Sequence, residues 1–183
     1  MLSRLLLPAA LALGAVVAAC GPSQTERVTA AQLCPKALRV QDAASLTRFK
    51  PGRGRDATDT LVQASLSDIA VTCGTRRERV DVDIAFEVRV AEGPALAKAT
   101  PDRKVALEYF VAIIDPQHQI LTRRTFNADF QFTGNRTKLQ SKEELSQRIP
   151  LSSPNTGGGY QIAVGFVMTP DEVEFNRRGT ARR

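Results

Sequence analysis

The residues that could do chemistry in this chain are few, and their spacing favours neither a catalytic nor a metal site. His118 is the only histidine and follows Asp-Pro-Gln, so we predict a solvated turn residue. Asp81, Asp83 and Glu87 would share the outer face of a strand, whereas calcium sites draw their oxygens from loops of the Asp-x-Asp-x-Asp-Gly kind. No Gly-x-Ser-x-Gly motif occurs in the sequence. We therefore predict no catalytic residue, no metal ligand and no cofactor, and a protein that is not an enzyme.

One glycine-rich segment, residues 50–56, invites comparison with phosphate-binding loops. Its Gly52-x-Gly54 has neither a third glycine nor a Gly-Lys-Ser/Thr ending, and no strand-then-helix pattern surrounds it. We interpret it as an ordinary loop.

The first 20 residues have the pattern of an export signal that ends at a cysteine. Arg4 supplies a positive charge, and an apolar run from Leu5 to Ala19 follows, which at about 15 residues is too short for a comfortable transmembrane helix. Val17-Ala18-Ala19-Cys20 then resembles the lipobox of bacterial lipoproteins. The resemblance implies cleavage between Ala19 and Cys20 and acylation of Cys20, with a fatty acid such as palmitate.

A lipidated N-terminus would fix the location of the protein. Each buried methylene of an acyl chain contributes about 0.8 kcal/mol, so several chains anchor a domain without a spanning helix. We predict a membrane-anchored lipoprotein that faces the periplasm. Gly21 stands where some lipoproteins retained in the inner membrane have Asp, which favours the outer membrane.

Cys34 and Cys73 remain after Cys20 is assigned to lipid, and an exported domain is exposed to an oxidising compartment. We predict a disulfide between them, which closes a loop of about 40 residues and stabilises the fold by about 4 kcal/mol in the chain-entropy model. A redox or metal pair is disfavoured because CxxC spacing and neighbouring histidines are both missing.

The formal charge of +6 does not indicate a nucleic-acid partner. Arg4 leaves with the signal, and four more arginines crowd the last seven residues, Arg177, Arg178, Arg182 and Arg183. Aromatic residues make up 5% of the chain and Trp is absent, whereas nucleic-acid-binding surfaces interleave basic and aromatic side chains. We predict no nucleic-acid binding and interpret residues 177–183 as a basic tail that is either solubilising or drawn to anionic lipid headgroups or an acidic partner.

Strand signals dominate the body of the chain. The strongest is a period of two over eleven residues, with Val80, Val82, Ile84, Phe86, Val88 and Val90 on one face. Residues 60–71 show two registers that break near 65–68, which predicts a bulge or bend. Residues 105–115 are apolar on both faces and predict a central strand, followed by a hairpin through 119–132 and a last strand at 160–168. Residues 137–151 fit either a strand or a short helix.

A helix start follows the last strand, since Thr169-Pro170-Asp171-Glu172 combines a capping Thr, a Pro and a Glu three residues after the cap. We predict a short helix through about Asn176. About seven strands, few helices and an early disulfide predict a mainly β protein, an antiparallel two-sheet sandwich of the immunoglobulin or fibronectin III kind. A small up-and-down barrel is the alternative.

The predicted organisation is a cleaved signal at 1–19, a lipidated tether at 20–33, a sandwich domain at 34–176 and the tail at 177–183. The body, with Ile149-Pro150-Leu151 and the Thr169–Glu172 helix start, resembles small proteobacterial envelope lipoproteins, a likeness that implies no activity. We expect a lipid-anchored envelope protein whose sandwich offers a face or edge strand to an envelope protein partner. The alternative is a periplasmic small-ligand or polysaccharide binder with a site lined by the loops at 50–56 and 154–159.

Overall fold

The computed structural model describes residues 33–153 and 156–180, which include nine strands and two α-helices. Cys20 and the rest of the predicted signal and tether up to residue 32 lie outside the described residues. Sheet A contains, in spatial order, β1 (Lys36–Arg39), β9 (Gln161–Phe166), β6 (Lys104–Ile114) and β7 (Ile120–Gln131). Sheet B contains β2 (Ser45–Phe49), β3 (Thr60–Leu66), β4 (Ala70–Arg76), β5 (Arg79–Glu92) and β8 (Lys138–Pro150). The helices are α1 (Leu96–Ala99) and α2 (Pro170–Thr180).

The two sheets pack face to face, so the sandwich prediction is confirmed and the barrel alternative is wrong. Alternate residues of β5 point into the core, as the period of two predicted, and Val80 and Val88 are fully buried. Phe86 of β5 meets Tyr109 of β6 edge to face, with ring centroids 5.3 Å apart. Such pairs stabilise the contact between the sheets beyond the burial of their area.

Strand β5 is the central strand of sheet B, because other strands pair with it along both edges. Its residues pair with β8 along one edge, and with β4 and then β3 along the other. Between β3 and β4, residues 67–69 stand opposite only Phe86 and Glu87, and the Ser67 hydroxyl accepts a hydrogen bond from the Glu87 amide at 2.8 Å. This is the bulge predicted from the broken register.

Two elements differ from expectation, and the structure decides a third that the sequence leaves open. Strand β1 pairs in parallel with β9, although an antiparallel sandwich was predicted. Strand β6 is buried on both faces only from Phe110 onward, since Ala106 and Glu108 are exposed. Residues 138–150 form a strand, which decides between the two structures that the sequence left open.

Helix α2 begins as predicted and ends later. Thr169 and Glu172 form the capping box, in which the Thr169 amide donates to the Glu172 carboxylate at 2.8 Å and the Glu172 amide donates to the Thr169 hydroxyl at 3.3 Å. The helix continues through Thr180 because Arg177 pairs with Asp42 at 2.7 Å and Asn176 donates to backbone carbonyls of the same segment. The first part of the predicted basic tail is therefore helical.

Candidate functional site

The described chain enters the fold at one end of the sandwich. Cys34 is bonded to Cys73 of β4 with a Cα–Cα distance of 5.8 Å, so the predicted disulfide is present. Lys36 at the start of β1 then begins a row across sheet A that runs through Gln161 and Ile114 to Ile120. Three steps between strands separate Lys36 from Ile120, or about 14 Å.

Four segments that are distant in sequence meet at this end. A Cβ added to Gly157 would lie 2.3 Å from the Leu33 carbonyl oxygen and 3.7 Å from Val80, so only glycine allows this approach. The turn at 157–159 also touches Pro116 of the β6–β7 turn, and the Leu151 amide donates to the Glu78 carbonyl of the β4–β5 turn. We call this end the tether pole and define it as residues 33–38, 74–81, 112–123 and the described part of 148–163.

The tether pole is the basic part of the domain. It carries six basic side chains, Lys36, Arg76, Arg77, Arg79, Arg123 and Arg148, against three acidic ones, Glu78, Asp81 and Asp115. The other described residues include fifteen basic and fifteen acidic side chains, which balance. The net positive charge of the described chain therefore lies at the tether pole.

Asp81 organises the arginines of this pole. Its carboxylate lies 2.8 Å from Arg76 Nε, 3.2 Å from Arg79 Nε and 3.5 Å from Arg148 Nε. The hydrogen bond from Arg76, together with the charge of Arg79, lowers the pKa of Asp81 below its ordinary value. The single carboxylate of Asp81 thus holds three guanidinium groups in place. Its one negative charge leaves the three groups with a net positive charge.

The tether pole also holds the exposed apolar side chains. The three large hydrophobic residues that are exposed in the described part of the chain are Leu38, Ile120 and Leu121, at 38%, 64% and 50%, and all three belong to it. His118, in the β6–β7 turn of the same pole, is exposed and has a φ of 63°, as expected for a turn histidine. Basic and apolar groups at one surface are typical of a contact with a partner or a membrane.

A second feature is the open edge of β8. All thirteen residues of β8 pair with or flank β5 on one side, and no described strand pairs with the other side. Its inward-facing Glu143 accepts hydrogen bonds from the Tyr109 hydroxyl and the Ser141 hydroxyl, both at 2.7 Å. Burial of the ring, and then the bond and charge of Glu143, raise the pKa of Tyr109.

A third feature is a groove of about 830 Å³ on sheet B, beside β8. Leu46, Ala64 and Val90 along its floor point into the core, so the side chains that line it are those that alternate with them. They are mostly hydroxyl and amide groups with three basic residues: Ser45, Thr47, Gln63, Ser65, Arg89, Arg136, Lys138 and Gln140. None of the residues that line the groove is acidic.

The remaining predicted features have structural explanations. The Asp83 carboxylate accepts a hydrogen bond from Ser146 at 2.6 Å, and Glu87 pairs with Arg89 at 2.7 Å. Within residues 33–153 and 156–180, no group of three or more His, Cys, Asp and Glu side chains could hold a metal ion.

The glycine-rich loop binds its own arginine. The Arg55 guanidinium donates to the carbonyls of Gly52 and Gly54, both at 2.8 Å, and a Cβ on Gly54 would lie 2.0 Å from Asp59 Oδ2. Gly54 thus makes room for the Asp59 carboxylate, whereas Gly52 adopts a φ of 122° that side chains rarely allow.

The loops at 50–56 and 154–159 do not line one site, contrary to the expectation for a ligand binder. The first precedes β3, whose residue Val62 pairs with Glu92 at the far end of β5, whereas Gly157 packs beside Val80 at the near end. The fourteen residues of β5 span about 43 Å, which separates the two loops. Of the second loop, residues 154 and 155 lie outside the described residues.

Comparison of the chain with protein-family models, with curated proteins and with solved structures finds no match. No helix among the described residues has the length and hydropathy needed to cross a membrane.

Proposed function

We propose that the protein is a lipid-anchored envelope protein whose β-sandwich is a non-catalytic module that binds another envelope protein. The lipobox-like Val17-Ala18-Ala19-Cys20 supports the anchor. The observation that carries the interaction is β8, a thirteen-residue strand with an open edge. On the side away from β5, where no described strand pairs with it, its backbone N–H and C=O groups are a template for strand addition by an extended segment of a partner.

The composition of β8 supports a specific partner over self-association. Lys138, Lys142, Glu144 and Arg148 on its outer face are charged, and Glu143 faces inward. Charges on an edge strand oppose indiscriminate pairing between copies of a protein. A partner strand with complementary charges would be selected by the same side chains, since opposite charges on directly facing residues stabilise cross-strand pairs.

Site-directed photo-crosslinking in intact cells tests this proposal. A photoreactive residue at Lys142 or Ser146, both exposed on β8, should give one discrete crosslinked protein, and the matched control at the exposed Lys98 of α1 should give none. A partner crosslinked equally from Lys98, or no crosslink from either β8 position, would contradict strand addition at β8.

The groove on sheet B favours a second candidate function, the binding of an acidic polysaccharide or other anionic ligand. Its hydroxyl and amide groups match the hydrogen-bonding groups of a carbohydrate, and Arg136 and Lys138 would pair with carboxylates or phosphates. NMR titration with an acidic oligosaccharide should move resonances of these residues, and Arg136→Gln should weaken binding, while Arg124→Gln at an exposed position of β7 in sheet A should not. Equal effects of the two substitutions would indicate non-specific charge attraction.

A further inference from the structure

We infer that the tether pole is a docking surface for an anionic phospholipid bilayer, so that the sandwich rests on the membrane to which its N-terminus is fixed. The inference rests on the proposed lipid anchor and adds a contact between the folded domain and the lipid. The occupant follows from three properties of the pole, which are the place where the chain enters, its charge and its apolar side chains.

The chain between Cys20 and Leu33 brings this pole to the bilayer. Thirteen steps along the chain reach at most about 45 Å when fully extended, and Cys34 is held to β4 by the disulfide. The tether must therefore meet the domain at the tether pole. A lipid at Cys20 would give this surface a high effective concentration of membrane, so a weak contact would still be populated.

Charge complementarity selects an anionic surface. The β4–β5 hairpin presents Arg76, Arg77 and Arg79, and Arg148 of β8 flanks it, while Asp81 and the exposed Glu78 offset two of the four charges. Basic residues near an anionic leaflet each strengthen binding about fivefold, and the attraction decays within a Debye length of about 8 Å at physiological salt. These arginines lie on one end of the domain and can reach a planar surface together.

Apolar side chains complete the surface. Ile120 and Leu121 stand beside the β6–β7 turn, and Leu38 lies in the same row of sheet A as Arg123. Exposed aliphatic residues next to arginines match the interface of a bilayer, where apolar groups enter the acyl boundary and cations remain among the headgroups. A soluble protein partner would satisfy the apolar groups as well, and the experiment below separates the two.

Because the sequence contains no Trp, the fluorescence of a single introduced Trp reports on its own position alone. Leu121→Trp places a single indole at the tether pole, and the matched control Lys98→Trp places one on exposed α1, next to the far end of β5. Each lipidated full-length variant is reconstituted into vesicles of phosphatidylcholine alone or with about 30% phosphatidylglycerol, an anionic lipid. Emission wavelength and quenching by brominated lipid are then measured.

We expect the Leu121→Trp emission to shift to shorter wavelength and to be quenched in phosphatidylglycerol vesicles, and the Lys98→Trp emission to change in neither. Adding Arg76→Glu and Arg77→Glu, or raising the salt concentration, should remove the effect, whereas adding Arg53→Glu should not. Equal quenching of the two indoles, or none at Leu121→Trp, would overturn the inference. If the Leu121→Trp emission shifts with native envelope vesicles but not with protein-free vesicles, the tether pole binds a protein and not the bilayer. That result would also overturn the inference.

Failure of the anchor is distinguished by intact mass. If Cys20 carries no acyl chain, the proposed function is wrong in that part, and the same two reporters with added vesicles still test whether the tether pole binds lipid. If Cys20 is acylated and Leu121→Trp stays in water, the anchor stands and the docking surface is wrong.

Discussion

Ile120 occupies the same row of sheet A as Lys36, three strands away, so the most exposed large apolar side chain of the described residues lies at the end of the sandwich where the chain enters the fold. The two ends of the domain therefore differ, although the overall composition does not show this difference. The formal charge of +6 is that of the whole chain. Among the described residues outside the tether pole, however, basic and acidic side chains are equal in number. Charge, exposed apolar residues and chain entry coincide at one end.

The first prediction concerns the disulfide. Replacing both Cys34 and Cys73 by Ser should lower the free energy of unfolding by about 4 kcal/mol, because the bond closes a loop of about 40 residues in the unfolded chain. Equilibrium urea denaturation measures the change, and the wild-type protein in reductant should reproduce it. An unchanged unfolding midpoint in the double variant would contradict the prediction.

The second prediction concerns the Tyr109–Glu143 hydrogen bond. Since the pKa of Tyr109 is raised in the fold, its neutral form stabilises the protein below the ordinary pKa of 10.0, and this stabilisation is lost as the pH rises above it. The free energy of unfolding of the wild-type protein, measured by urea denaturation, should therefore fall steeply above about pH 10, and that of Tyr109→Phe should not. Tyr160→Phe is the matched control, and parallel curves for wild type and Tyr109→Phe would rule out the effect.

The third prediction concerns Asp81. Its pKa is lowered in the fold, so its charged form stabilises the protein above the ordinary pKa of 3.8, and this contribution is lost as the pH falls below that value. The urea midpoint of the wild-type protein should fall more steeply than that of Asp81→Asn on acidification below about pH 4. Asp102→Asn, another surface aspartate, serves as control. If the urea midpoints of wild type and Asp81→Asn fall equally on acidification, the three arginines do not stabilise the carboxylate.

The sequence predicts those parts of the fold that depend on local patterns. The alternation of Val80 to Val90 specifies a strand because its period is two, and Thr169 with Glu172 specifies a helix start because their side chains cap each other. The sequence leaves β8 open between a strand and a short helix because Ser141 and Glu143 interrupt its inner face with polar groups and obscure the period. Glu143 accepts hydrogen bonds from Ser141 on the same strand and from Tyr109, which lies 34 residues away and is brought close only by the fold.

The tether pole could not be predicted because it has no local signal. Its parts come from four segments joined by long-range contacts, such as that between Gly157 and Leu33, and by the parallel pairing of β1 with β9. Arg76 and Ile120 are unremarkable in sequence and become informative only when the fold places them at one end. The predicted export signal is the opposite case, since it is inferred from the order of residues 1–20 alone and needs no fold.

The central claim is the lipid anchor at Cys20, and intact-mass analysis of the native protein extracted from membranes tests it most directly. The account predicts a chain that begins at Cys20 and carries acyl mass, which Cys20→Ala abolishes together with palmitate labelling and detergent-phase partitioning. A native chain that retains residues 1–19, or one that begins at Cys20 without added mass, would contradict the account.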